Sequence, residues 1–262
     1  MTTNRLLPIK NGRNFRDLGG YRTVDGHTVK WHRLIRSGHL NTLDQPDLDL
    51  LASLNITLDV DFRAPGEIKA QPDHVPVTAT YHQLSVFQTD RTDASHSQEE
   101  IEAEFSDDPQ AGYHHMLQVY REMVTASKAK AAYQYFFDLL LDSDPESAVL
   151  FHCTAGKDRT GMGAILLLSA LNVDRQTSIN DYLLTNQVNQ ALLDGVVKKI
   201  TQAGKSPAFA QNTLSLMSVS PDYIGTALQI IDHDYGSIRH YLRAYLGITP
   251  QNMRDLQKRY LD

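Results

Sequence analysis

Cysteine is almost absent from the sequence, since Cys153 is the only one among 262 residues. A single thiol excludes a disulfide within the chain and excludes a metal site built from several cysteines. An isolated cysteine is most often a small core residue, so its neighbours in the sequence decide whether it has a chemical role.

Long apolar runs and an excess of positive charge are absent as well. The longest apolar stretch, Met162 to Val173, is interrupted by Gly163 and Ser169 and is too short to cross a bilayer. The N-terminus lacks the apolar run of a secretory signal, so we expect a cytoplasmic protein, although export without a leader would leave no such signal. The net charge of −6 disfavours nucleic acid and anionic membranes as general partners.

The composition is that of a folded globular protein, with 41% hydrophobic and 21% charged residues. No internal repeat and no flexible linker divides the chain, so we expect one domain over residues 1–262. Helical segments within 90–125 and 178–203 are expected to form a lid over the site. No motif indicates an oligomeric state.

Strand and helix patterns alternate along the chain, which indicates an α/β fold. Residues 55–62 and the apolar run 148–151 read as strands, and an apolar helix should follow the second as far as Val173. Asp25-Gly26 predicts a hairpin, and 90–108 predicts a loop or the start of an exposed helix. Apolar faces predict helices over 113–124 and 132–141, and three further helices should start at Ser220-Pro221, Gly236-Ser237 and Thr249-Pro250.

The segment His152 to Gly161, which reads HCTAGKDRTG, combines the groups that phosphate chemistry needs. It lies between a predicted strand and a predicted helix, where backbone N–H groups converge and the helix N-terminus favours an anion. Arg159 can hold two phosphate oxygens with its planar guanidinium, and Lys157 adds a positive charge. The same surroundings favour the thiolate of Cys153, which is then a nucleophile at neutral pH.

The other residues of this segment have separate expected roles. Thr154 and Ala155 contribute backbone N–H groups to the phosphate, and Gly156 permits close approach or a positive φ. The Thr160 hydroxyl can donate a hydrogen bond to the sulfur, and His152 is expected to tune the loop rather than act as a base.

A nucleotide-binding loop, a structural turn, a sulfurtransferase and an inactive phosphoprotein-binding module are the alternatives. The first requires Ser or Thr after the lysine, whereas Asp158 follows Lys157. The second leaves the joint placement of Cys153, Arg159 and Thr160 unexplained. The pair Arg159-Thr160 favours phosphate over sulfur transfer, and the intact Cys153–Arg159 pair argues against an inactive module.

The loop resembles the signature of the cysteine-dependent protein tyrosine phosphatase superfamily. CTAGKDRTG is similar to the bacterial atypical branch, the tyrosine/serine phosphatases with additional activity on phosphoinositides. Motifs that resemble this branch also occur in the expected order, at residues 14–21, 34–38, 61–63, 235–238 and 241–242. The resemblance implies a central mixed sheet flanked by helices, hydrolysis in two steps through a cysteinyl-phosphate, and no metal or other cofactor.

A general acid should protonate the leaving group. Better-known relatives carry it in a Trp-Pro-Asp loop, but here the only tryptophan, Trp31, is followed by His32. Asp158 inside the loop and Asp61 at the end of a predicted strand are the two candidates. The resemblance favours Asp158, and an ion pair with a loop arginine is the alternative role for Asp61.

The expected partner is a phosphorylated protein, with phosphotyrosine as the first substrate class and phosphoserine or phosphothreonine as an addition. A phosphoinositide is the alternative, because Lys157 adds a cation that suits a headgroup with several phosphates. Arg16, Asp17 and Arg63 are expected either to support the loop or substrate or to form ordinary structural ion pairs.

Overall fold

A computed structural model describes residues 5–93, 96–105 and 108–262 of the chain. Within these ranges the protein has an α/β fold with one five-stranded sheet, as expected. The strands are β1 (Arg16–Asp17), β2 (Leu34–Ser37), β3 (Ile56–Asp61), β4 (Thr80–Gln83) and β5 (Ala148–His152). Their order is β1-β2-β5-β3-β4, and only the β1–β2 pair is antiparallel, so the sheet is mixed.

Twelve helices flank the sheet in the described part of the chain. They are α1 (Gln45–Ser53), α2 (Pro65–Ala70), α3 (Gln98–Phe105), α4 (Ala111–Thr125), α5 (Ser127–Asp142), α6 (Arg159–Ala170), α7 (Arg175–Val188), α8 (Gln190–Gln202), α9 (Pro207–Met217), α10 (Pro221–Tyr235), α11 (Ile238–Ala244) and α12 (Pro250–Tyr260). None of these described helices is both long enough and apolar enough to span a membrane.

Strand β5 occupies the centre of the sheet and is buried on both faces. Val149 and Phe151 belong to a large apolar core on one face, while Ala148 and Leu150 belong to a smaller core on the other. Strands covered by helices on both sides read as continuous apolar runs, which explains the pattern at 148–151. The carboxyl ends of β2, β3 and β5 meet at one edge, where open α/β sheets bind ligands.

The alternating pattern at 55–62 is a strand, but its polar side chains do not face solvent. β3 lies between β5 and β4, and Asp59 and Asp61 are fully buried. Their carboxylates face His152, which ends the neighbouring strand. The alternation therefore reflects a buried cluster of charges rather than an exposed face.

The aromatic faces predicted for two helices form the core beside the sheet. Tyr120 of α4 and Tyr133 of α5 are fully buried. Phe62 packs edge to face on Tyr133 and Phe136, with ring centroids 5.6 and 5.3 Å apart. Aromatic pairs at this separation add to the stability that burial alone provides.

The three predicted C-terminal helix starts are confirmed as caps of α10, α11 and α12. The side chains of Ser220, Ser237 and Thr249 each accept a backbone N–H of the first turn. The apolar helix α6 ends three residues before Val173, because Asn172 adopts a left-handed φ of 66°.

Two other predictions are met in part. Asp25-Gly26 does form a turn, closed by Thr23 N–H donating to the His27 carbonyl at 2.9 Å. The residues on its two sides form an isolated bridge, between Arg22 and Thr28, rather than a hairpin of two strands. The acidic stretch 90–108 contains α3, whose Ile101 is buried, so this helix is not merely exposed. Residues 94–95 and 106–107 of the stretch lie outside the described residues.

Candidate active site

Residues 153–159, called the phosphate loop below, lead from the end of β5 into the first turn of α6. Hydrogen bonds from the N-terminal segments hold their backbone. The guanidinium of Arg36 and the amide of Asn14 both donate to the carbonyl of Gly156, each at 2.8 Å. Gly156 has a φ of 66°, and a Cβ there would lie 2.3 Å from the Ser37 carbonyl oxygen. Only glycine fits, as the sequence predicts.

Cys153 opens the loop with a free, buried thiol. Thr154 is buried next to it, and its hydroxyl contacts the carboxylate of Glu67. The Thr160 hydroxyl is buried and has no hydrogen-bond partner in the described part of the chain. The expected hydrogen bond from Thr160 to the sulfur of Cys153 is therefore not formed in this structure.

Arg159 is fully buried at the start of α6 and is held by Glu67. Nη1 and Nη2 donate to the two carboxylate oxygens of Glu67 at 2.5 and 2.9 Å. Burial lowers the pKa of Arg159, but the negative charges of Glu67 and Cys153 outweigh it and raise this pKa well above its ordinary value. The guanidinium is therefore charged and fixed in orientation.

Glu67 is a site residue that the sequence does not reveal by motif. Pro65-Gly66 reads as the end of a strand, but Pro65 begins α2 and Glu67 lies at its third position. There the Glu67 carboxylate also accepts the N–H of Ala64 at 2.8 Å. Proline in the first turn followed by an acidic residue is a helix-start signal, and it could have located this carboxylate.

Arg159 has a second set of neighbours in the segment before α3. Its Nη2 donates to the Thr92 hydroxyl at 3.0 Å and lies 3.6 Å from a carboxylate oxygen of Asp90. Its Nε is buried and has no partner among the described residues. The edge of the guanidinium formed by Nη1 and Nη2 is thus fixed by Glu67. The edge formed by Nε and Nη2 carries one donor without a partner among the described residues, Nε, and one whose bond to Thr92 can be exchanged for a bond to a ligand, Nη2.

The two candidates for the general acid have different surroundings. Asp158 is buried in the loop, where one carboxylate oxygen accepts the Tyr120 hydroxyl at 2.8 Å. Asp61 accepts Arg63 Nε and Nη2 at 2.8–3.1 Å and also accepts the Tyr81 hydroxyl at 2.9 Å. The geometry thus matches the alternative role of Asp61, an ion pair with a loop arginine.

The pKa of Asp61 also supports an ion pair rather than a role as proton donor. Burial raises it, but His152 and Arg63 outweigh burial and hold it below its usual range. A carboxylate kept ionised in this way is a poor proton donor.

Lys157 is not the free cation that the sequence suggests. Its ammonium is buried and lies 2.6 Å from the second carboxylate oxygen of Asp158. Its charge is therefore used inside the loop, which weakens the argument that Lys157 selects a headgroup with several phosphates.

His152 lies beneath the loop among three carboxylates. Its Nε2 is 3.2 Å from Asp59 and 3.6 Å from Asp73, and its Nδ1 is 3.8 Å from Asp61. Burial lowers the pKa of His152, but Asp61 and Asp59 outweigh it and raise this pKa to about 9. His152 is therefore a cation at neutral pH, which agrees with a tuning role.

Asp61, Asp73 and His152 offer ligand atoms close enough together for a metal ion. Arg63, however, donates to both aspartates, so its guanidinium already provides their positive charge. The donor set is thus that of a buried ion-pair cluster.

Arg16 and Asp17 do not touch the loop. Arg16 binds Asp181 of α7, with Nε to Oδ1 at 3.0 Å, and also contacts the Asn14 side-chain oxygen. Asp17 accepts the N–H groups of Gly19 and His32, each at 2.7 Å, and so shapes a turn. Arg16 supports the loop indirectly, and Asp17 is structural.

A cavity of about 230 Å³ opens beside Ala155 and Lys157 of the loop. Its apolar wall comes from α3, α8 and the end of α9, through Ile101, Leu192, Val196, Leu216 and Met217. Arg13, Asp93 and His96 line its polar part. The segments 90–125 and 178–203 thus line part of this cavity, together with α9, which the sequence did not indicate. Their role as a lid stays a prediction.

Comparison with known proteins agrees with this geometry. A model described as "Tyrosine phosphatase family" matches residues 7–262. A protein of Cupriavidus necator named as a tyrosine-protein phosphatase is 30% identical over 242 residues, covering 92% of this chain and 84% of its own. The triple specificity protein phosphatase PtpB of Mycobacterium tuberculosis is 30% identical over 255 residues, covering 88% and 90%. A tyrosine-protein phosphatase of Nostoc commune is 26% identical over 233 residues, covering 86% and 73%.

Proposed function

The chain belongs to the tyrosine phosphatase family, and we propose that this protein-tyrosine phosphatase works through a cysteinyl-phosphate formed on Cys153. The observation that carries the mechanism is the phosphate loop itself. It presents a lone thiol and a charged, buried Arg159 at the carboxyl edge of the sheet. A thiolate nucleophile and a fixed guanidinium are what metal-independent phosphoryl transfer requires.

In the first step the Cys153 thiolate attacks phosphorus, so that the sulfur–phosphorus bond forms and the bond to the tyrosine oxygen breaks. Asp158 gives its proton to that departing oxygen. In the second step a water oxygen attacks phosphorus and the sulfur–phosphorus bond breaks. Asp158 takes the proton from the water, inorganic phosphate leaves, and the thiolate is restored.

Arg159 stabilises the charge on the transferred group. Glu67 occupies one edge of its guanidinium, and the buried Nε is left to donate to a phosphate oxygen. Nη2 donates to the Thr92 hydroxyl in this structure, and it donates to a second phosphate oxygen when substrate binds. Two parallel charge-assisted hydrogen bonds in a buried site supply a large part of the rate in phosphoryl transfer.

The cavity beside the loop supports phosphotyrosine as the preferred substrate. Its aliphatic wall suits a phenyl ring, which loses no hydrogen bonds on leaving water. An inositol ring would bring hydroxyl and phosphate groups against that wall, and each unpaired polar group is costly to bury.

A second substrate class has support from two observations. Arg13 lines the cavity and its side chain is exposed, so it could meet an additional phosphate or carboxylate. The relative from Mycobacterium tuberculosis is named a triple specificity phosphatase, which supports acceptance of phosphoserine, phosphothreonine or phosphoinositide here as slower substrates.

The proposal is tested with the Cys153→Ser variant and three substrates, a phosphotyrosyl peptide, a phosphoseryl peptide and a short-chain phosphoinositide. We expect the parent enzyme to release phosphate fastest from the phosphotyrosyl peptide and Cys153→Ser to release none. Rapid acid quenching should trap one phosphoryl group on Cys153, detected by peptide mass. Turnover by a folded Cys153→Ser protein would disprove the covalent mechanism, and faster release from the lipid would disprove the substrate preference.

A further inference from the structure

Three charged side chains lie beneath the phosphate loop and take no part in the mechanism above. Arg16 of β1, Arg36 of β2 and Asp181 of α7 are all buried. Asp181 Oδ1 accepts Arg16 Nε at 3.0 Å, and its Oδ2 accepts Arg36 Nη1 at 2.7 Å. Two guanidinium groups share one carboxylate, so this triad holds one positive charge in excess.

The triad is connected to the loop at the carbonyl of Gly156. Arg36 reaches that carbonyl with Nη2 while Nη1 binds Asp181. The Asn14 amide donates to the same carbonyl, and its oxygen accepts from Arg16. Both donors that hold Gly156 are therefore oriented by the triad. A loop that binds an anion must turn its carbonyls away and its N–H groups inward, and these contacts do so at Gly156.

Each of the other cations around the loop lies beside at least one carboxyl group. Arg159 is paired with Glu67, and Lys157 is paired with Asp158. His152 and Arg63 lie among the carboxylates of Asp59, Asp61 and Asp73. Among the described clusters that border the loop, the triad is the one in which cationic side chains outnumber carboxyl groups.

The excess charge lies within electrostatic reach of the nucleophile. Burial and the like charge of Arg16 lower the pKa of Arg36 to about 10, while Asp181 and the Cys153 sulfur oppose that decrease. Arg36 is therefore protonated at neutral pH. Negative charge at the sulfur also contributes to the raised pKa of Arg159 in α6 and of the buried Tyr133 phenol in α5. In a buried site such charges are weakly screened.

We propose that Arg36, oriented by Asp181, is a positioning residue that fixes the phosphate loop through Gly156 and stabilises the Cys153 thiolate with the excess charge of the triad. This role deepens the proposed function and rests on it. Arg36 touches neither the substrate nor the reacting atoms, and it acts through the Gly156 carbonyl and through its field at the sulfur.

The ionisation of the single thiol tests the proposal directly. The ultraviolet absorbance of the thiolate is followed as pH is raised, with Cys153→Ser as the background for the tyrosines. Arg36→Met leaves Arg16 and Asp181 as a neutral pair, and we expect the midpoint to rise by about one pH unit or more. Asp181→Asn leaves two guanidinium groups unbalanced, and we expect the midpoint to fall.

Opposite shifts distinguish an electrostatic role from a structural one, because a loosened loop would move both variants in the same direction. Arg33→Met is the matched control, since Arg33 lies three residues from Arg36 and pairs with Glu146. We expect it to leave the midpoint unchanged. Shifts of the same sign in folded Arg36→Met and Asp181→Asn, or no shift in either, would overturn the electrostatic part of the proposal.

Arg36→Lys covers the case in which the other two variants fail to fold. A lysine keeps the charge but lacks the planar fork that binds Asp181 and Gly156 together. We expect a midpoint within about half a unit of the parent's, with kcat reduced about tenfold and weaker inhibition by inorganic phosphate. Unchanged kcat and phosphate inhibition would overturn the positioning role. The thiol titration needs no substrate, so a parent enzyme without phosphatase activity would refute the proposed function alone.

Discussion

Glu67 holds Arg159 with both of its carboxylate oxygens, and the two residues lie 92 positions apart in the chain. Both side chains are buried, so neither charge is screened by water. The pair fixes the plane of the guanidinium before any phosphate arrives. An enzyme that fixes its donors in advance does not have to reorganise them during the reaction.

Weakening this pair should therefore slow catalysis more than it weakens the fold. Glu67→Gln keeps the shape of the side chain but removes the charge, and we expect kcat/KM for a phosphotyrosyl peptide to fall about tenfold to a hundredfold. The matched control is Glu146→Gln, whose carboxylate is exposed and pairs with Arg33. Equal rates for the two folded variants would contradict the assignment.

The roles of Asp158 and Asp61 can be separated by pH–rate profiles. Asp158→Asn removes the proton donor, so we expect kcat for the phosphotyrosyl peptide to fall about 10²–10⁴-fold. The decline of the rate at high pH, which is the basic limb of the profile, should also disappear. The loss should be smaller for an aryl phosphate whose leaving group needs little protonation. Asp61→Asn should keep the basic limb but cost about 3–5 kcal/mol of stability, because it leaves Arg63 partly unpaired. If neither variant removes the basic limb, both assignments are wrong.

His152 makes stability depend on pH. Its pKa is raised to about 9 in the folded protein, above the ordinary value of 6.5. The stabilisation is thus fully present below pH 6.5 and is lost as pH rises through about 9. We expect the free energy of unfolding to decline over this range by on the order of 3 kcal/mol.

Denaturant titrations at several pH values check this expectation. His152→Gln should abolish the decline, whereas His240→Gln, at an exposed position, should preserve it. A decline that survives in His152→Gln would show that another group causes it.

The apolar wall of the cavity should contribute to the affinity for an aromatic substrate. Val196→Ser places a hydroxyl against the ring, and we expect KM for the phosphotyrosyl peptide to rise about tenfold. Inhibition by inorganic phosphate should not change, because phosphate binds the loop alone. Lys198→Ser, on the exposed side of the same helix, serves as the control. An unchanged KM for Val196→Ser would contradict the placement of the substrate's ring in the cavity.

Local sequence signals predict the parts of the site that are contiguous in the chain. The spacing from Cys153 to Arg159 and the need for glycine at position 156 follow from one ten-residue segment, and the structure agrees with the need for glycine. The helix caps at Ser220 and Thr249 are local as well, since each is a side chain bonded to its own first turn.

The partners of these groups depend on topology, which local patterns do not encode. Asp181 and Arg36 are 145 residues apart, and Tyr120 and Asp158 are 38 apart. Lys157 illustrates the same limit. Its charge is visible in the sequence, but its pairing with Asp158 is visible only once the loop is folded. Asp59 and Asp61 read as polar positions of an alternating strand, and only the folded chain brings His152 to both of them.

The burial of the phosphate loop has a consequence for measured affinities. Cys153 is 1% exposed and Arg159 is 0% exposed, so we expect a protein substrate to reach them only in molecules in which the helices that line the cavity have moved aside to uncover the loop. The observed dissociation constant then equals the intrinsic one divided by the fraction of molecules that are open. With about one molecule in a hundred open, for example, binding is a hundredfold weaker than the loop itself allows. We therefore expect the resting equilibrium of this cover to set the substrate concentration at which the enzyme begins to work.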